Sequence, residues 1–332
     1  MSHGDREHDR RRPDGDWHDR SDLAAALAQV GRAVRDAVLA TPRSAADAAI
    51  SRVAGGDEVF GVDARADQVL LASLIERAAE RWPGRLIMEG LDDPVPIGDP
   101  AGPWVYLADP VDGTRPWLAG KRSAWVLLGA GRQAETLEDL EVGAAVELPT
   151  GRARWTRAAW AAGTRVWAED EDLAGLEAPR AVVLEPRRDG DLRRAWVTVA
   201  RFSPGQKGAI GAWEDELLAG VEVYEDPYLC SGGQLMGLAS GQDAAVLDPR
   251  PLFGAALCAH PYDLAALVVA RACGVVVEAL PPGPLTVPLD PAADVAWAGY
   301  ANPSVAAELR PRGSFPVNPR RATTAPPPAG NG

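Results

Sequence analysis

The apolar positions of the chain fall into two rhythms. Leu23, Leu27, Val30, Val34 and Val38 recur at helical spacing and predict an amphipathic helix over Leu23–Leu39. A second helix is predicted over Asp63–Arg81, with Val69, Leu70, Leu74, Ile75 and Ala78 on its apolar side. Short apolar runs then predict strands at Leu86–Met88, Trp104–Ala108, Trp125–Leu128 and Val142–Leu148, the last stopped by Pro149. The region Gly151–Arg194 mixes strand-like pieces with charged turns and yields no firm element. After it, strand and helix alternate. Strands are expected at Ala195–Ala200, Val221–Tyr224, Ala244–Leu247 and Val275–Val277, and helices at Lys207–Ala219, Gln234–Ala239 and Tyr262–Ala272. Such alternation argues for an α/β layer in the second half and a mixed α+β first half. The expected organisation is a tail at 1–20, an α+β subdomain at 21–200, an α/β subdomain at 201–316 and a second tail at 317–332.

Composition narrows the function. With 332 residues and 46% apolar content the chain can bury a substantial core. A net charge of −13 argues against nucleic acid as a partner, because nothing would neutralise its phosphates. Cys230, Cys258 and Cys273 are scattered and show neither a disulfide framework nor zinc-site spacing. The first twenty residues are charged and lack a secretory apolar core. No apolar run reaches membrane-spanning length, so a cytoplasmic protein with no membrane partner is expected.

Chemistry concentrates at Trp104–Trp117, WVYLADPVDGTRPW. Pro110 cannot donate a ladder hydrogen bond, so the strand is expected to stop there. Gly113 permits a tight turn, and Thr114 suits a helix N-cap. Asp109 and Asp112 can then converge, with the Val111 carbonyl between them. Such a pair repels by roughly 3–4 kcal/mol at an effective dielectric near 20, so a proton, an arginine or a cation must sit with it. All-oxygen ligation suits Mg²⁺. Amides at Gly113 and Thr114 would suit a phosphate oxygen. The spacing is D-x-x-D-G-T. The nucleophilic aspartate of aspartyl-phosphate phosphatases, two residues before the second Asp, is replaced here by Pro110. A water is the better nucleophile.

Here the sequence resembles the inositol monophosphatase family, the Mg²⁺-dependent, lithium-sensitive phosphatases related to fructose-1,6-bisphosphatase. Besides DPVDGT, the resemblance is carried by LIME (Leu86–Glu89), Val62–Asp63, SGGQLMGLASGQDAAV (Ser231–Val246) and HPYDLAA (His260–Ala266), and it runs from about Leu23 to Leu309. It implies an alternating α-β-α-β-α sandwich and two or three Mg²⁺ ions. Glu89, Asp109 and the Val111 carbonyl would hold one ion, and Asp109, Asp112 and Asp263 another. Asp63 and Thr114 would position and deprotonate the attacking water, making Asp63, Thr114 and Glu89 the catalytic set. Gly113 and Thr114 would hold the phosphate, and Ser231, Gly232 and Gly233 would face the substrate. A homodimer is usual in similar proteins. Asp63 and Ser231 can equally serve as helix caps, His260 as a structural residue, and Cys230 and Cys258 as packing.

The implied activity is Mg²⁺-dependent hydrolysis of a small phosphorylated polyol, sugar or nucleotide. A bisphosphate-specific phosphatase, or a non-catalytic binding protein on the same fold, stands as the alternative. Two departures matter. Gly90 replaces a second glutamate, for which Asp92 and Asp93 are substitute candidates. FGAALCAHPY (Phe253–Tyr262) lacks the carboxylate that binds inositol hydroxyls. Arg115, Arg201, Lys207 and Arg250 are candidates for a second phosphate or a carboxylate, or are solvated charges.

Overall fold

The computed structural model describes residues 15–41, 44–54, 57–151 and 153–312. Its centre is an eight-stranded sheet. In spatial order the strands are Arg180–Ala181, Arg165–Asp172, Trp155–Ala162, Val142–Leu148, Ala124–Arg132, Trp104–Asp112, Gly84–Met88 and Val95–Ile97. All neighbours run antiparallel except Gly84–Met88 beside Trp104–Asp112. A four-stranded sheet follows, ordered Val197–Val199, Ala245–Asp248, Trp297–Tyr300 and Val276–Ala279, with only its first pair parallel.

Alternation along the strands sets the layers. Trp104, Tyr106 and Ala108 face the helices Gly15–Leu39 and Gly61–Ala78, where they meet Leu27, Val34, Leu70 and Leu74. Val105 and Leu107 face the other way, toward the helices Ser231–Ala239 and Leu267–Ala272. Those helices also cover Val246, Val277 and Trp297 of the small sheet. Its opposite residues, Val197, Leu247, Ala298 and Tyr300, pack on helices Lys207–Leu217 and Pro303–Leu309. Both sheets are therefore covered on both faces, which explains strands that read as unbroken apolar runs. The result is the expected α-β-α-β-α sandwich.

Several expectations change in detail. Residues 15–20, assigned to the tail, begin the first helix. Asp19 accepts from Trp82 Nε1 at 2.9 Å and pairs with Arg132, and Arg20 pairs with Glu141, so polar contacts dock this end. Residues 1–14 and the tail 317–332 lie outside the described residues. The strand Val197–Val199 belongs to the small sheet, so the change of sheet falls before residue 200 rather than after it. Val221–Tyr224 is not a strand; only Tyr224 forms a bridge, to Trp196. Two short antiparallel strands, Ile50–Ala54 and Asp57–Phe60, which the apolar pattern does not reveal, precede the second helix. Among the described residues no helix is long and apolar enough to cross a membrane.

Candidate metal centre

The strand carrying Asp109 does not end at Pro110. It continues to Asp112, but its register shifts: Asp109 opposes Leu127 while Asp112 opposes Trp125. Three steps on one strand thus face two on its neighbour, a β-bulge, and Pro110 contributes no ladder donor there. The shift has a chemical consequence. Residues three apart on a regular strand point to opposite faces; one extra residue returns them to the same face. Asp109 and Asp112 converge for that reason. The Asp109 Oδ1 also accepts from the Val111 amide at 2.9 Å, which fixes the bulge from inside.

Asp263 completes the cluster. It lies in the one-turn helix Pro261–Leu264, where its Oδ2 accepts the His260 amide at 2.6 Å. Asp109, Asp112 and Asp263 each bring a carboxylate oxygen within 4.8 Å of the other two. Glu89, just beyond the strand Gly84–Met88, hydrogen-bonds the Asp109 carboxyl. Burial first, then the charges of Glu89, Asp112 and Asp263, push the Asp109 carboxyl well above the usual range. Burial and Asp263 push Asp112 up to about 8, even though the Gly232 and Ser231 amides and the Cys230 thiol donate to it. A buried all-oxygen donor set this crowded with negative charge fits a hard divalent cation, which would offset the repulsion.

Beside the cluster sits a second polar unit. Gly113 caps the short helix Thr114–Leu118 at φ +89°, and a Cβ there would lie 2.9 Å from the Cys230 Cβ, so glycine is required twice over. Thr114 is therefore the first helical residue rather than the cap. Its hydroxyl lies 2.9 Å from Asp63 Oδ1 and 2.7 Å from the Val111 carbonyl oxygen. The other Asp63 oxygen accepts the Phe60 amide at 2.8 Å, which satisfies the backbone donor at the N-cap of the second helix; Phe60 has no side-chain acceptor to complete a capping box. Burial raises the Asp63 carboxyl to about 7, against the Phe60 and Thr114 hydrogen bonds.

Glu89, Asp109, Val111, Asp112, Gly113, Thr114, Ser231 and Asp263 all line one open pocket. Gly232 and Gly233 do not. The Gly232 amide donates to Asp112 and the Gly233 amide to Cys230 Sγ at 3.3 Å, so these helix-start donors are consumed internally instead of facing a substrate. The cap of that helix is Cys230, not Ser231. Asp92 and Asp93 are exposed and away from the pocket, and Gly90 turns at φ +76°, where a glutamate would be strained. Arg250 lines the pocket but grips Asp248 through Nε at 2.8 Å and Nη2 at 2.5 Å. Arg201 pairs with Glu214 and Glu225. His260 is held structurally, its Nδ1 3.0 Å from the Ala293 carbonyl oxygen. The sequence did not reveal the apolar wall made by Phe202, Tyr228 and Leu229, because it comes from loops with no periodicity.

No family model matches the sequence, and no curated protein sequence matches it either. Solved structures do match in shape. SuhB of Mycobacterium tuberculosis is 18% identical, with a TM-score of 0.56 over 87% of this chain and 93% of that one. The inositol monophosphatase of Anabaena is 14% identical, with a TM-score of 0.58 over 87% and 94%. Leishmania major fructose-1,6-bisphosphatase in its holo form is 12% identical, with a TM-score of 0.62 over 91% and 95%. With the acidic cluster placed at the bulged end of the large sheet, this chain has the layered fold of the inositol monophosphatases and fructose-1,6-bisphosphatases.

Proposed function

We propose that the protein is a Mg²⁺-dependent phosphomonoesterase acting on a small phosphorylated substrate. The observation that carries this reading is the convergence of Asp109, Asp112 and Asp263 within 4.8 Å, at the floor of a pocket also lined by Thr114. Glu89, Asp109, Asp112, Asp263 and the Val111 carbonyl would hold two or more cations. Bound there, the cations would lower the pKa of a water and stabilise the leaving oxygen. The chain's own residues do the rest. Asp63 fixes the Thr114 hydroxyl, and a carboxyl near pH 7 is suited to taking a proton passed through it from the attacking water. The Val111 carbonyl oxygen lies on the other side of the same hydroxyl, so its one proton goes to Asp63 or to Val111, and the relay uses the first. Gly113 and Thr114 would bind the phosphate through their amides, and Ser231 would border it. Release of inorganic phosphate from a panel of phosphomonoesters, with and without Mg²⁺, tests the reading. Mg²⁺-dependent release lost in Asp109→Asn supports it; equal inertness of both proteins on every ester sinks it.

A further inference from the structure

The acidic pocket shares a wall with a second recess. Ala200, Phe202, Tyr228, Leu229 and Gln234 line both, and Thr198 and Val199 extend the recess along the edge strand of the small sheet. The ester group of a phosphate held at the carboxylates would have this space beside it. The shared wall is apolar and open: Phe202 is 37% and Leu229 36% exposed, although both are large hydrophobic side chains. Such side chains lose free energy when left against water and regain it against an apolar ligand. Apart from Lys207, an exposed ammonium that also lines the recess, the nearby polar side chains are already engaged. The Tyr228 hydroxyl donates to the Ser123 carbonyl, and Gln234 Nε2 donates to the Tyr228 carbonyl at 2.6 Å. Arg201 is divided between Glu214 and Glu225. A polyhydroxylated alcohol entering here would lose its hydrogen bonds to water and find few replacements. The acid-free stretch Phe253–Tyr262 removes a further source of hydroxyl acceptors.

We infer that the site is built for phosphomonoesters of apolar alcohols, aliphatic or benzylic, with the alcohol seated against Phe202 and Leu229. The inference rests on the phosphatase reading above and specifies its substrate class. The test compares n-hexyl and benzyl phosphate with glycerol 1-phosphate and myo-inositol 1-phosphate, using the full chain with Mg²⁺. All four are esters of alcohols rather than phenols, so differences in leaving-group acidity stay small. The expected kcat/KM is at least about tenfold higher for the apolar esters, mostly through KM. That preference should fall at least threefold in both Phe202→Ser and Leu229→Ser. Calorimetry with hexylphosphonate and glycerol phosphonate in Mg²⁺ reads the same preference without turnover. Equal or better use of the polyol esters, or a preference untouched by both substitutions, overturns the inference while leaving the phosphatase reading intact. If no ester is cleaved yet hexylphosphonate binds at least tenfold tighter than glycerol phosphonate, the recess assignment stands and the phosphatase reading falls. Equal phosphonate binding in that case overturns the inference as well.

Discussion

Removing one charge from the acidic cluster should stabilise the cation-free protein, although it removes a buried, hydrogen-bonded side chain. At 4.8 Å, the upper limit of the oxygen separations, each ionised pair costs about 3.5 kcal/mol at an effective dielectric near 20. Keeping the acids protonated avoids that cost but meets another. An acid that keeps its proton when folded, and has an ordinary pKa of 3.8 when unfolded, loses about 1.4 kcal/mol of stability per pH unit above that value. The sign is fixed by the raised folded-state pKa of Asp109 and Asp112: stability is fully present below the unfolded value and is lost as pH rises toward the folded one. Asp109→Asn keeps the shape, and its side-chain oxygen can still accept the Val111 amide. The substitution should gain on wild type by up to about 1.4 kcal/mol for each pH unit above the unfolded pKa without divalent ions. For a chain of this size each such unit is roughly 2 °C in Tm. The assay is differential scanning fluorimetry of both proteins in EDTA, at pH 5 and pH 8, repeated with excess Mg²⁺. Wild type should lose stability with rising pH and recover it with Mg²⁺, and Asp109→Asn should lose and recover less, because Asp112 keeps its raised pKa while Asp109 no longer titrates. If Asp109→Asn melts lower than wild type at pH 8 in EDTA, and Mg²⁺ raises both equally, the electrostatic argument is wrong.

Thr114→Ala should lower kcat by about 10²–10⁴ with little change in KM, read by steady-state phosphate release, because the hydroxyl between Asp63 and Val111 is lost while the carboxylates remain. Gly113→Ala should cost at least about 1–3 kcal/mol in urea denaturation, since the residue sits at φ +89° against Cys230. Arg35→Met should cost about 3 kcal/mol by the same measurement, because it removes a 2.5 Å partner of the buried Glu171. Burial alone would raise the Glu171 carboxyl, but hydrogen bonds from Arg32 and Arg35 outweigh it and hold it below the usual range. Its contribution is thus present above pH 4.5 and lost as pH falls below that; wild type and Arg35→Met should converge in stability in acid.

Helices and strands with one periodic apolar face were legible in the sequence, and so was every acid of the cluster. What escaped had a local reason. The strand Arg165–Asp172 reads RVWAEDED and looks like a charged turn. Its acids are nevertheless paired: Glu169 and Glu171 with Arg32, Glu171 also with Arg35, Asp170 with Arg157, and Asp172 with Arg154. A strand next to the sheet's edge, covered by arginines in place of leucines, carries no hydrophobic period to read. The bulge was missed for a different reason. Pro110 correctly marks a missing donor, but a missing donor is compatible with a strand end or with a bulge, and only the pairing to Trp125 decides between them. Glycine was misread in the same way. In SGGQ it was expected to face the substrate, whereas a Cβ at Gly232 would meet Leu127 Cδ2 at 2.4 Å, so close packing accounts for it.

Asp112 ties these features together. One of its oxygens accepts the Gly232 amide and the other the Ser231 amide at 3.3 Å, at the start of the helix sandwiched between the two sheets. The same carboxylate lies within the acidic cluster. An ionised Asp112 is favoured by the positive end of that helix and disfavoured by Asp109 and Asp263. A cation among the three acids removes the second effect and leaves the first. Occupation of the site should therefore strengthen the contact between the bulged strand and the middle helix layer. This contact holds the floor of the pocket against the loop carrying Tyr228, Leu229 and Cys230. Amide exchange at Gly232 and Gly233 is the direct readout: it should slow with Mg²⁺ in wild type and stay fast in Asp112→Ala. Exchange that ignores the cation in wild type would separate the two roles of Asp112.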